Sequence, residues 1–422
     1  MINVIDKRNA PEVRFDGFTD DWVVDTLGEL TDVYDGTHQT PTYTESGIMF
    51  LSVENIKTMT SNKFISAEAF NNDFKVYPQK GDVLMTRIGD IGTANIVESD
   101  DPIAYYVSLA LLKKKTLNPY FLKSVIQTEA VWRELWHRTL HIAFPKKINM
   151  GEIKKVLVNY PASEIEQTAI GNFFRDLDDT ISLKKQQHEK TLNIKKAMLE
   201  KMFPKKGADV PEIRFDGFSE NWSIKRLDEV FVPSVPNNTL SRSELNYESG
   251  DIKNIHYGDV LMKFGAYLDS SDKIIPFIIN ARVQEYRSYL LKDGDIVFAD
   301  TAEDEMVGKA VEVTNTESSN IVSGLHTYVY RPQIRTSSYF FGYYLNSQSY
   351  RGQLLSLMQG VKVLSINRSN LSKTLICYPD SLDEQSAIGN YFRSLDILIE
   401  AERQEIDKLQ NIKNACLSKM FV

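Results

Sequence analysis

The stretch PEVRFDGFTDDW at residues 11–22 returns as PEIRFDGFSENW at residues 211–222, with eight of the twelve positions identical. A second stretch, EQTAIGNFFRDLDDTI at 166–181, matches EQSAIGNYFRSLDILI at 384–399 in 11 of 16 positions. Between these matches the two halves share little, so variable and constant parts alternate along the sequence. Self-similarity of this length indicates an internal duplication. The constant parts therefore perform one task twice, while the variable parts perform two versions of another.

The second constant stretch predicts a long helix in each copy. Its apolar residues recur at alternating steps of four and three, which is the spacing of a coiled-coil seam. At ~1.5 Å per residue, a helix of about 40 residues would span about 60 Å. We predict that the two helices pack as an antiparallel coiled coil through Ile170, Phe174, Leu177, Ile181, Ile388, Phe392, Leu395, Ile399, Ile406 and Leu409.

Polar residues interrupt this seam near its middle. In an antiparallel pair Glu402 would lie near Lys184 or His188, and a charge pair that sets the register is one hypothesis. The other hypothesis is that these side chains extend along the helix surface to solvent. The sequence leaves both interpretations open.

The variable segments carry short runs of β-branched and aromatic residues separated by Gly, Asn, Asp and Pro, such as LHTYVYR at 325–331. These are strand and turn signals. A stretch with helical character follows in each copy, at 121–139 and at 339–358. The predicted fold class is α+β, with two tandem mixed α/β domains of mostly antiparallel strands, separated by the two long helices.

Length and composition exclude several classes of protein. A chain of 422 residues predicts two to four domains. No apolar run approaches the ~18 residues of a membrane span, and the start MINVIDKRNA has no apolar signal core, which predicts a soluble cytoplasmic protein. The two cysteines, Cys377 and Cys416, are too few for a disulfide framework and have no metal-ligand spacing with the histidines.

The charge distribution is more informative than the net charge. The net charge of −8 argues against a polyanionic partner. However, residues 111–155 hold ten Lys and Arg against three acids, and residues 318–379 hold no Asp or Glu at all. Both stretches occupy the later half of a variable segment and are rich in aromatic and amide side chains, which suits contacts with phosphates and base edges. The alternative is an ordinary sheet-and-helix core whose acids lie elsewhere.

Motifs for catalysis are weak. The Gly89–Gly92 run lacks the strand–GxGxxG–helix context of a nucleotide site and predicts a tight turn. His137 and His141 have helical spacing but no third metal ligand. The carboxylate-x-Lys run at 152–154 has no acid between Glu134 and itself, and the run at 251–253 has upstream acids, Asp228 and Glu244, without a supporting strand pattern for a metal-dependent nuclease. The sequence therefore predicts a chain without catalytic chemistry or a metal site of its own.

Over nearly the whole chain, these residues resemble the DNA-specificity (S) subunit of type I restriction–modification systems. The resemblance rests on the two PE(V/I)RFDGF segments that end in Trp and on GDVLMTRIGDIGTANIV at 81–97. It also rests on NMGEIKKVLVNYP at 149–161 and NRSNLSKTLICYP at 367–379, each followed by the EQ-x-AIGN motif and a long helix that ends in KMF.

The resemblance implies a division of labour among subunits. Two target-recognition domains would each read one half of a split, asymmetric DNA sequence, and the two helices would hold them apart. Two modification subunits would bind S-adenosylmethionine and methylate adenine, and restriction subunits would use ATP and Mg to translocate and cut DNA. This chain would bind no cofactor itself. The implied domains are a tail at 1–10, recognition domains at 11–162 and 207–380, and spacer helices at 163–206 and 381–422.

The basic stretches supply the candidate contacts with double-stranded DNA. They are Arg87, Arg133, Arg138, His141, Lys146 and Lys147 in the first domain, and Arg351, Gln359, Lys362, Asn367 and Arg368 in the second.

Two rival functions stay open at this stage. One is a specificity subunit of a methylation-only complex, which a neighbouring restriction-subunit gene would exclude. The other is a coiled-coil scaffold whose basic faces bind an acidic protein. A salt-dependent affinity for DNA in the presence of modification subunits would exclude the scaffold.

Overall fold

The computed structural model describes residues 9–422, apart from the side chain of Ser234, so the predicted tail at 1–10 lies almost entirely outside the described residues. The chain forms two compact units. Unit 1 holds the chain up to Gln186 together with Gln404–Val422, and unit 2 holds Gln187–Arg403. Each unit contains one domain of mixed helix and sheet, which confirms the predicted fold class. The domain limits drawn from the repeats stay predictions.

From residue 9 onward, unit 1 contains nine strands and five short α-helices besides its parts of the two long helices. Its strands are β1 (Val23–Thr26), β2 (Thr31–Asp35), β3 (Ile48–Leu51), β4 (Phe64–Ile65), β5 (Val83–Thr86), β6 (Ala94–Ile96), β7 (Ile103–Tyr105), β8 (Leu109–Lys114) and β9 (Leu157–Tyr160). Its helices are α1 (Leu27–Leu30), α2 (Ala67–Asp73), α3 (Pro119–Ile126), α4 (Glu129–His137) and α5 (Met150–Lys154).

The sheets of unit 1 are mostly antiparallel. The largest has the order β2-β8-β5-β6, and its core-facing strands are almost continuously apolar because both faces are covered. A smaller sheet, β4-β3-β7, contains a parallel pair of β3 and β7. A ribbon of β1 and β9 joins the start and the end of the domain.

Unit 2 repeats this plan with more strands. Its strands are β10 (Ser223–Arg226), β11 (Phe231–Val235), β12 (Leu245–Asn246), β13 (Lys253–Ile255), β14 (Tyr267–Asp269), β15 (Phe277–Ile278), β16 (Ile296–Ala299), β17 (Thr301–Ala302), β18 (Ala310–Thr314), β19 (Ile321–Ser323), β20 (Thr327–Pro332), β21 (Leu364–Ser365) and β22 (Leu375–Tyr378). Its short helices are α7 (Leu227–Val230), α8 (Tyr257–Met262), α9 (Phe340–Asn346), α10 (Gln348–Leu354) and α11 (Arg368–Ser372). The sheets are ordered β11-β20-β16-β18-β14 and β12-β15-β13-β19, with ribbons β10-β22 and β17-β21.

Two long helices of 38 residues each follow the domains, α6 (Glu164–Lys201, called helix A) and α12 (Leu382–Lys419, called helix B). Within unit 1 the early part of helix A packs antiparallel to the late part of helix B, and within unit 2 the late part of helix A packs antiparallel to the early part of helix B. The predicted seam residues are buried or half-buried at every position. The fully buried ones are Ile170, Phe174, Ile181, Ile388 and Phe392, and the half-buried ones are Leu177, Leu395, Ile399, Ile406 and Leu409.

The constant segments meet around one buried carboxylate in each unit. Arg14 donates two hydrogen bonds to Glu166, at 2.6 and 2.8 Å, and Trp22 Nε1 donates a third at 3.3 Å. In unit 2, Arg214 and Trp222 bind Glu384 at the same distances. The hydrogen bonds to these carboxylates raise the pKa of both guanidinium groups. The motifs that mark the duplication therefore hold together the two ends of each domain.

The glycine of the AIGN motif lets helix A or B approach its domain closely. A Cβ at Gly171 would lie 2.7 Å from Phe121 N, and one at Gly389 would lie 2.9 Å from Phe340 N. These are the backbone amides at the starts of α3 and α9. Only glycine leaves room for such contact.

The KMF segment at the end of each helix completes a core. Phe421, just after helix B, packs on Phe174 in unit 1, with ring centroids 5.6 Å apart. Phe203, just after helix A, stacks on Phe392 in unit 2 at 5.7 Å. Each domain core thus requires residues that follow the other domain in sequence.

The polar residues of the seam make specific pairs. Glu402 is 4% exposed, accepts a hydrogen bond from Thr191 at 3.2 Å and lies 3.6 Å from His188 Nδ1. This confirms His188 as one of its two predicted neighbours. Lys184 pairs with Glu405 in unit 1, at 2.9 Å.

One pentapeptide adopts two conformations. GDVLM at 81–85 leads from a turn into β5, whereas the identical GDVLM at 258–262 lies in α8. In the second case His256 Nδ1 accepts a hydrogen bond from Gly258 N and caps the helix start. Among residues 9–422, no helix combines the length and apolar character needed to cross a membrane.

Candidate nucleic-acid interface

The basic stretch of unit 1 ends in a projecting hairpin, which we call loop 1 (residues 140–147). Its ends pair through Leu140 N and Lys147 O at 2.7 Å. Gly89 N donates to Lys146 O at 2.8 Å, so loop 1 is anchored on the turn between β5 and β6. The backbone after the loop is fixed by a hydrogen bond from Ile148 N to Arg87 O at 3.0 Å. Gly89 and Gly92 have positive φ and lie in the bend of residues 87–93 that joins β5 to β6, where the sequence predicted a tight turn, and this bend supports loop 1.

Unit 2 has a hairpin at the matching place, loop 2 (residues 359–365). Gln359 and Ser365 exchange two backbone hydrogen bonds, at 2.9 and 2.8 Å. Ile366 N then donates to Asp300 O at 2.9 Å, which repeats the bond between Ile148 and Arg87. Each hairpin is therefore attached to the segment that leaves the central strand of its sheet, β5 or β16.

Around loop 1, four predicted contact residues are gathered near Trp136. The Lys146 ammonium lies 4.5 Å from the ring centroid of Trp136, and His141 Nε2 lies 3.0 Å from Trp136 O. Lys147 is exposed beside them, and Arg138 follows the same helix. Trp132 stacks on Trp136 at 5.3 Å and is 44% exposed. Cationic and aromatic groups thus share one surface, which suits a phosphate backbone with accessible bases.

The arginines on α4 are held by neighbouring acids. Arg133 pairs with Glu129 on the exposed side of the helix. Arg138 lies 2.9 Å from Glu134 and 3.7 Å from Glu152. Exposed ion pairs of this kind contribute only ~0–1 kcal/mol, so both guanidinium groups can exchange a carboxylate for a phosphate at low cost.

Arg87 does not fit the role predicted for it. Its side chain is only 6% exposed and donates to Val107 O at 3.1 Å and to Asp35 at 3.4 Å. Burial lowers the pKa of the guanidinium, and Asp35 opposes that effect. The side chain therefore connects the end of β5 to Val107 and Asp35 instead of reaching the surface. We exclude it from the candidate interface.

The candidates of unit 2 divide into supporting and exposed groups. Arg351 is half-buried and donates to Glu305 O and to Val307 O, the latter at 3.1 Å, while burial lowers its pKa. Arg351 therefore holds the backbone at Glu305 and Val307 in place, which is a structural role. Asn367 caps α11 by accepting a hydrogen bond from Asn370 N at 2.8 Å.

Three further candidates of unit 2 are exposed, as Asn367 is too. Lys362 is exposed at the tip of loop 2, and Gln359 is exposed at its base. The Arg368 guanidinium lies 4.8 Å from the ring centroid of Tyr328 and is also exposed. This arrangement of cation and ring resembles that of Lys146 and Trp136 in unit 1.

The sequence did not predict the most exposed side chains of both hairpins. Ile142 and Phe144 in loop 1 are 98% and 104% exposed, and Val361 and Val363 in loop 2 are 98% and 53% exposed. Apolar residues within a strand-like pattern predict core positions, so their exposure was not visible in the sequence. The only available signal was the adjacent lysines.

The candidate metal-binding groups of the sequence lie in the described part of the chain. Among residues 9–422, no group of three or more His, Cys, Asp and Glu side chains is arranged to hold a metal ion. Lys253, the lysine of one nuclease-like run, is buried and donates to Ser270 O at 2.7 Å and Asp272 O at 2.9 Å. The Lys253 side chain therefore connects β13 to the turn that follows β14.

Comparison with known proteins agrees with the duplicated plan. The family model described as type I restriction modification DNA specificity domain matches residues 19–193 and 219–411. The type I restriction enzyme MjaVIII specificity subunit of Methanocaldococcus jannaschii is 24% identical over 272 residues, which cover 61% of this chain and 59% of that protein. The aligned region thus spans less than two thirds of that relative.

Two solved structures share the fold. The S subunit of the type I restriction–modification system from M. genitalium has a TM-score of 0.61 at 14% identity and covers 98% of this chain and 99% of that one. A chain from a structure of type I R-M complex assembly and conformational transition has a TM-score of 0.51 at 16% identity, with 95% and 97% covered.

Proposed function

Because the chain belongs to the family of type I restriction modification DNA specificity domains, we propose that it is the DNA-reading subunit of a type I restriction–modification complex. Unit 1 reads one half of a bipartite, asymmetric site through the face around loop 1, and unit 2 reads the other half through the face around loop 2. The observation that carries the proposal is the pair of hairpins, anchored at equivalent backbone positions but different in sequence. Equivalent placement gives two readers, and different side chains give two half-sites.

The same proposal assigns the chemistry to partner subunits. Two methyltransferase subunits bind S-adenosylmethionine and methylate adenine, and restriction subunits bind ATP and Mg, all in the cytoplasm where the DNA lies. Exposed apolar residues on the long helices support docking of protein partners. Ile194 of helix A and Ile412 of helix B occupy matching repeat positions and are 39% and 41% exposed, and Leu183 is 65% exposed. Such repeated exposed residues suit two copies of one partner.

The test is methylome sequencing of cells that express the chain with its modification subunit. We expect one split, asymmetric motif with methylated adenine in both halves. Grafting a foreign loop in place of residues 140–147 should change one half of the motif and leave the other unchanged. A complete absence of sequence-specific methylation would overturn the proposal.

The salt dependence of DNA binding tests the surface directly. Replacing Lys146 and Lys147 with Ala should lower the slope of log K against log[salt] by about 0.9 for each lost phosphate contact. Lys75→Ala with Lys80→Ala is the matched control, because both lysines are exposed on the acidic part of unit 1. Equal slopes for the two double variants would remove loop 1 from the interface.

A further inference from the structure

We infer that loop 1 inserts Phe144 between stacked bases of the half-site read by unit 1, whereas loop 2 contacts its half-site without unstacking it. The inference rests on the proposed function and adds a mechanism by which DNA deformation is read. Its first basis is exposure: Ile142 and Phe144 project fully into solvent at the tip of the hairpin. An apolar aromatic side chain held out in this way gains free energy when a partner covers it.

The tip is presented by a rigid base. The hairpin is closed between Leu140 and Lys147 and is fixed to the β5–β6 turn by the bond from Gly89 N to Lys146 O. His141 and Lys146 also contact Trp136 of α4. These contacts hold the loop backbone while leaving the tip side chains outward. A loop ordered in advance loses less conformational entropy on binding.

The surrounding charge indicates the occupant. Between Thr139 and Gly151 the chain contains Lys146, Lys147 and His141 but no Asp or Glu. A polyanion that also offers apolar planar faces satisfies both features, and duplex DNA is such a ligand. Proteins that deform DNA insert apolar wedges such as Phe, Leu, Ile, Met or Pro between base steps and kink the duplex by roughly 20–90°. Phe144 would be the wedge, and the lysines would bind flanking phosphates.

Loop 2 provides the internal contrast. Its tip carries Val361 and Val363 with Lys362 between them. Valine is shorter than the side chains that wedge between base steps, so it suits apolar contact in a groove, for example with a thymine methyl group. The two half-sites should therefore differ in base stacking when the complex is bound.

The experiment uses the chain assembled with its modification subunits and a duplex that carries the motif found by methylome sequencing. 2-Aminopurine replaces each adenine on either strand of both half-sites in turn, apart from the methylated adenines and the bases next to or opposite them, because a methyltransferase can flip the methylated base. We expect a fluorescence increase at one step of the unit 1 half-site and none in the unit 2 half-site. Phe144→Ala should abolish the increase and weaken binding roughly 5- to 150-fold.

Two further variants complete the test. Phe144→Trp should keep the fluorescence increase because it restores a stacking face, and Val361→Ala should leave the fluorescence pattern unchanged. Persistence of the increase in Phe144→Ala, or its absence in a wild-type complex that binds the motif specifically, would overturn the wedge. Loss of specific binding in the wild-type complex would instead overturn the proposed function, so the two failures are distinguishable.

Discussion

Units 1 and 2 are nearly identical where they hold the chain together and different where they meet solvent. Glu166 and Glu384 bind the same pair of side chains, and Lys413–Asp178 in unit 1 matches Lys195–Asp396 in unit 2. The hairpins occupy the same place but share neither tip nor length. After the duplication, the buried polar contacts therefore stayed the same, whereas the surface hairpins diverged in sequence and length.

The starts of α3 and α9 combine one hydrogen bond that both units share with helix caps that differ between the units. Gln167 accepts a hydrogen bond from Asn118 N at 2.9 Å, and Gln385 accepts the equivalent bond from Ser337 N at 3.0 Å. The helix start in unit 1 is then capped locally by the Asn118 side chain. In unit 2 the caps come from Glu312 on β18, which accepts from Tyr339 N at 2.7 Å and Gly342 N at 2.9 Å.

The largest expected effect tests the shared contacts. Glu166→Ala and Glu384→Ala should each lower the free energy of unfolding of their own unit by about 3–5 kcal/mol, because each leaves an arginine and an indole N–H without their partner. Hydrogen exchange resolved by unit would measure this. Glu164→Ala and Asp383→Ala are matched controls, since both acids are exposed in the same helical turns. A loss in one unit only would show that the shared contacts are not equivalent.

The second prediction concerns the unmatched cap. Burial raises the pKa of Glu312 to about 7, and the two backbone hydrogen bonds oppose that shift. The folded state therefore retains a proton that the unfolded chain releases near pH ~4.3. The contribution of Glu312 to the stability of unit 2 should be largest below that pH and should fall by up to about 3 kcal/mol as pH rises to about 7.

Glu312→Gln keeps a neutral side chain and should remove this pH dependence. Urea unfolding at pH 5, 6 and 7 can be followed by fluorine NMR of 5-fluorotryptophan, because Trp222 is the tryptophan of unit 2. Unit 1 has the neutral Asn118 at the equivalent cap and should lack this contribution. Parallel curves for wild type and variant between pH 5 and 7 would contradict the prediction.

The sequence predicted the parts of the fold that depend on long patterns. The duplication, the two long helices and their seam follow from spacing that only a packed helix pair explains, and Phe174 and Phe392 are buried accordingly. The sequence also identified the exposed cations Lys146, Lys147 and Lys362. A lysine in a stretch without acids has no nearby partner in the sequence, and an unpaired lysine is rarely buried.

Features that depend on distant neighbours were not predictable. Arg87 and Arg351 resemble surface cations in the sequence. In the fold, however, their guanidinium groups donate hydrogen bonds to backbone carbonyls that are distant in sequence. The identical GDVLM runs form a strand and a helix because tertiary context overrides so short a local preference. Phe144 had the pattern of a core residue, since nothing local distinguishes an outward apolar side chain from an inward one.

The third prediction concerns the two matched ion pairs, which differ in their additional partner. Asp396 also accepts a hydrogen bond at 2.6 Å from the Tyr343 hydroxyl, whose burial raises its pKa, whereas Asp178 pairs at 3.1 Å with Lys123. Asp396→Ala should lower the free energy of unfolding of unit 2 by about 1.5–3 kcal/mol, because it leaves a buried hydroxyl unpaired. Asp178→Ala should cost unit 1 about 1 kcal/mol, because Lys413 keeps its hydrogen bond to Gln127 Oε1 at 2.8 Å. Equal losses would show that the tyrosine adds nothing.

The smallest expected effect comes from comparing an exposed polar pair of the helix seam with a buried one. Lys184 and Glu405 lie 2.9 Å apart with side chains 31% and 48% exposed, so a double-mutant cycle with alanine should give a coupling of about 0.2–1 kcal/mol that shrinks as salt is raised. The cycle between Thr191 and Glu402 should give a coupling that salt hardly changes, because Glu402 is 4% exposed and its bond to the hydroxyl is shielded from solvent. Unfolding of each variant at low and high salt measures both couplings. If the Thr191 coupling falls with salt as the Lys184 coupling does, the middle of the seam is open to solvent, and Glu402 cannot fix the helix register through a buried contact.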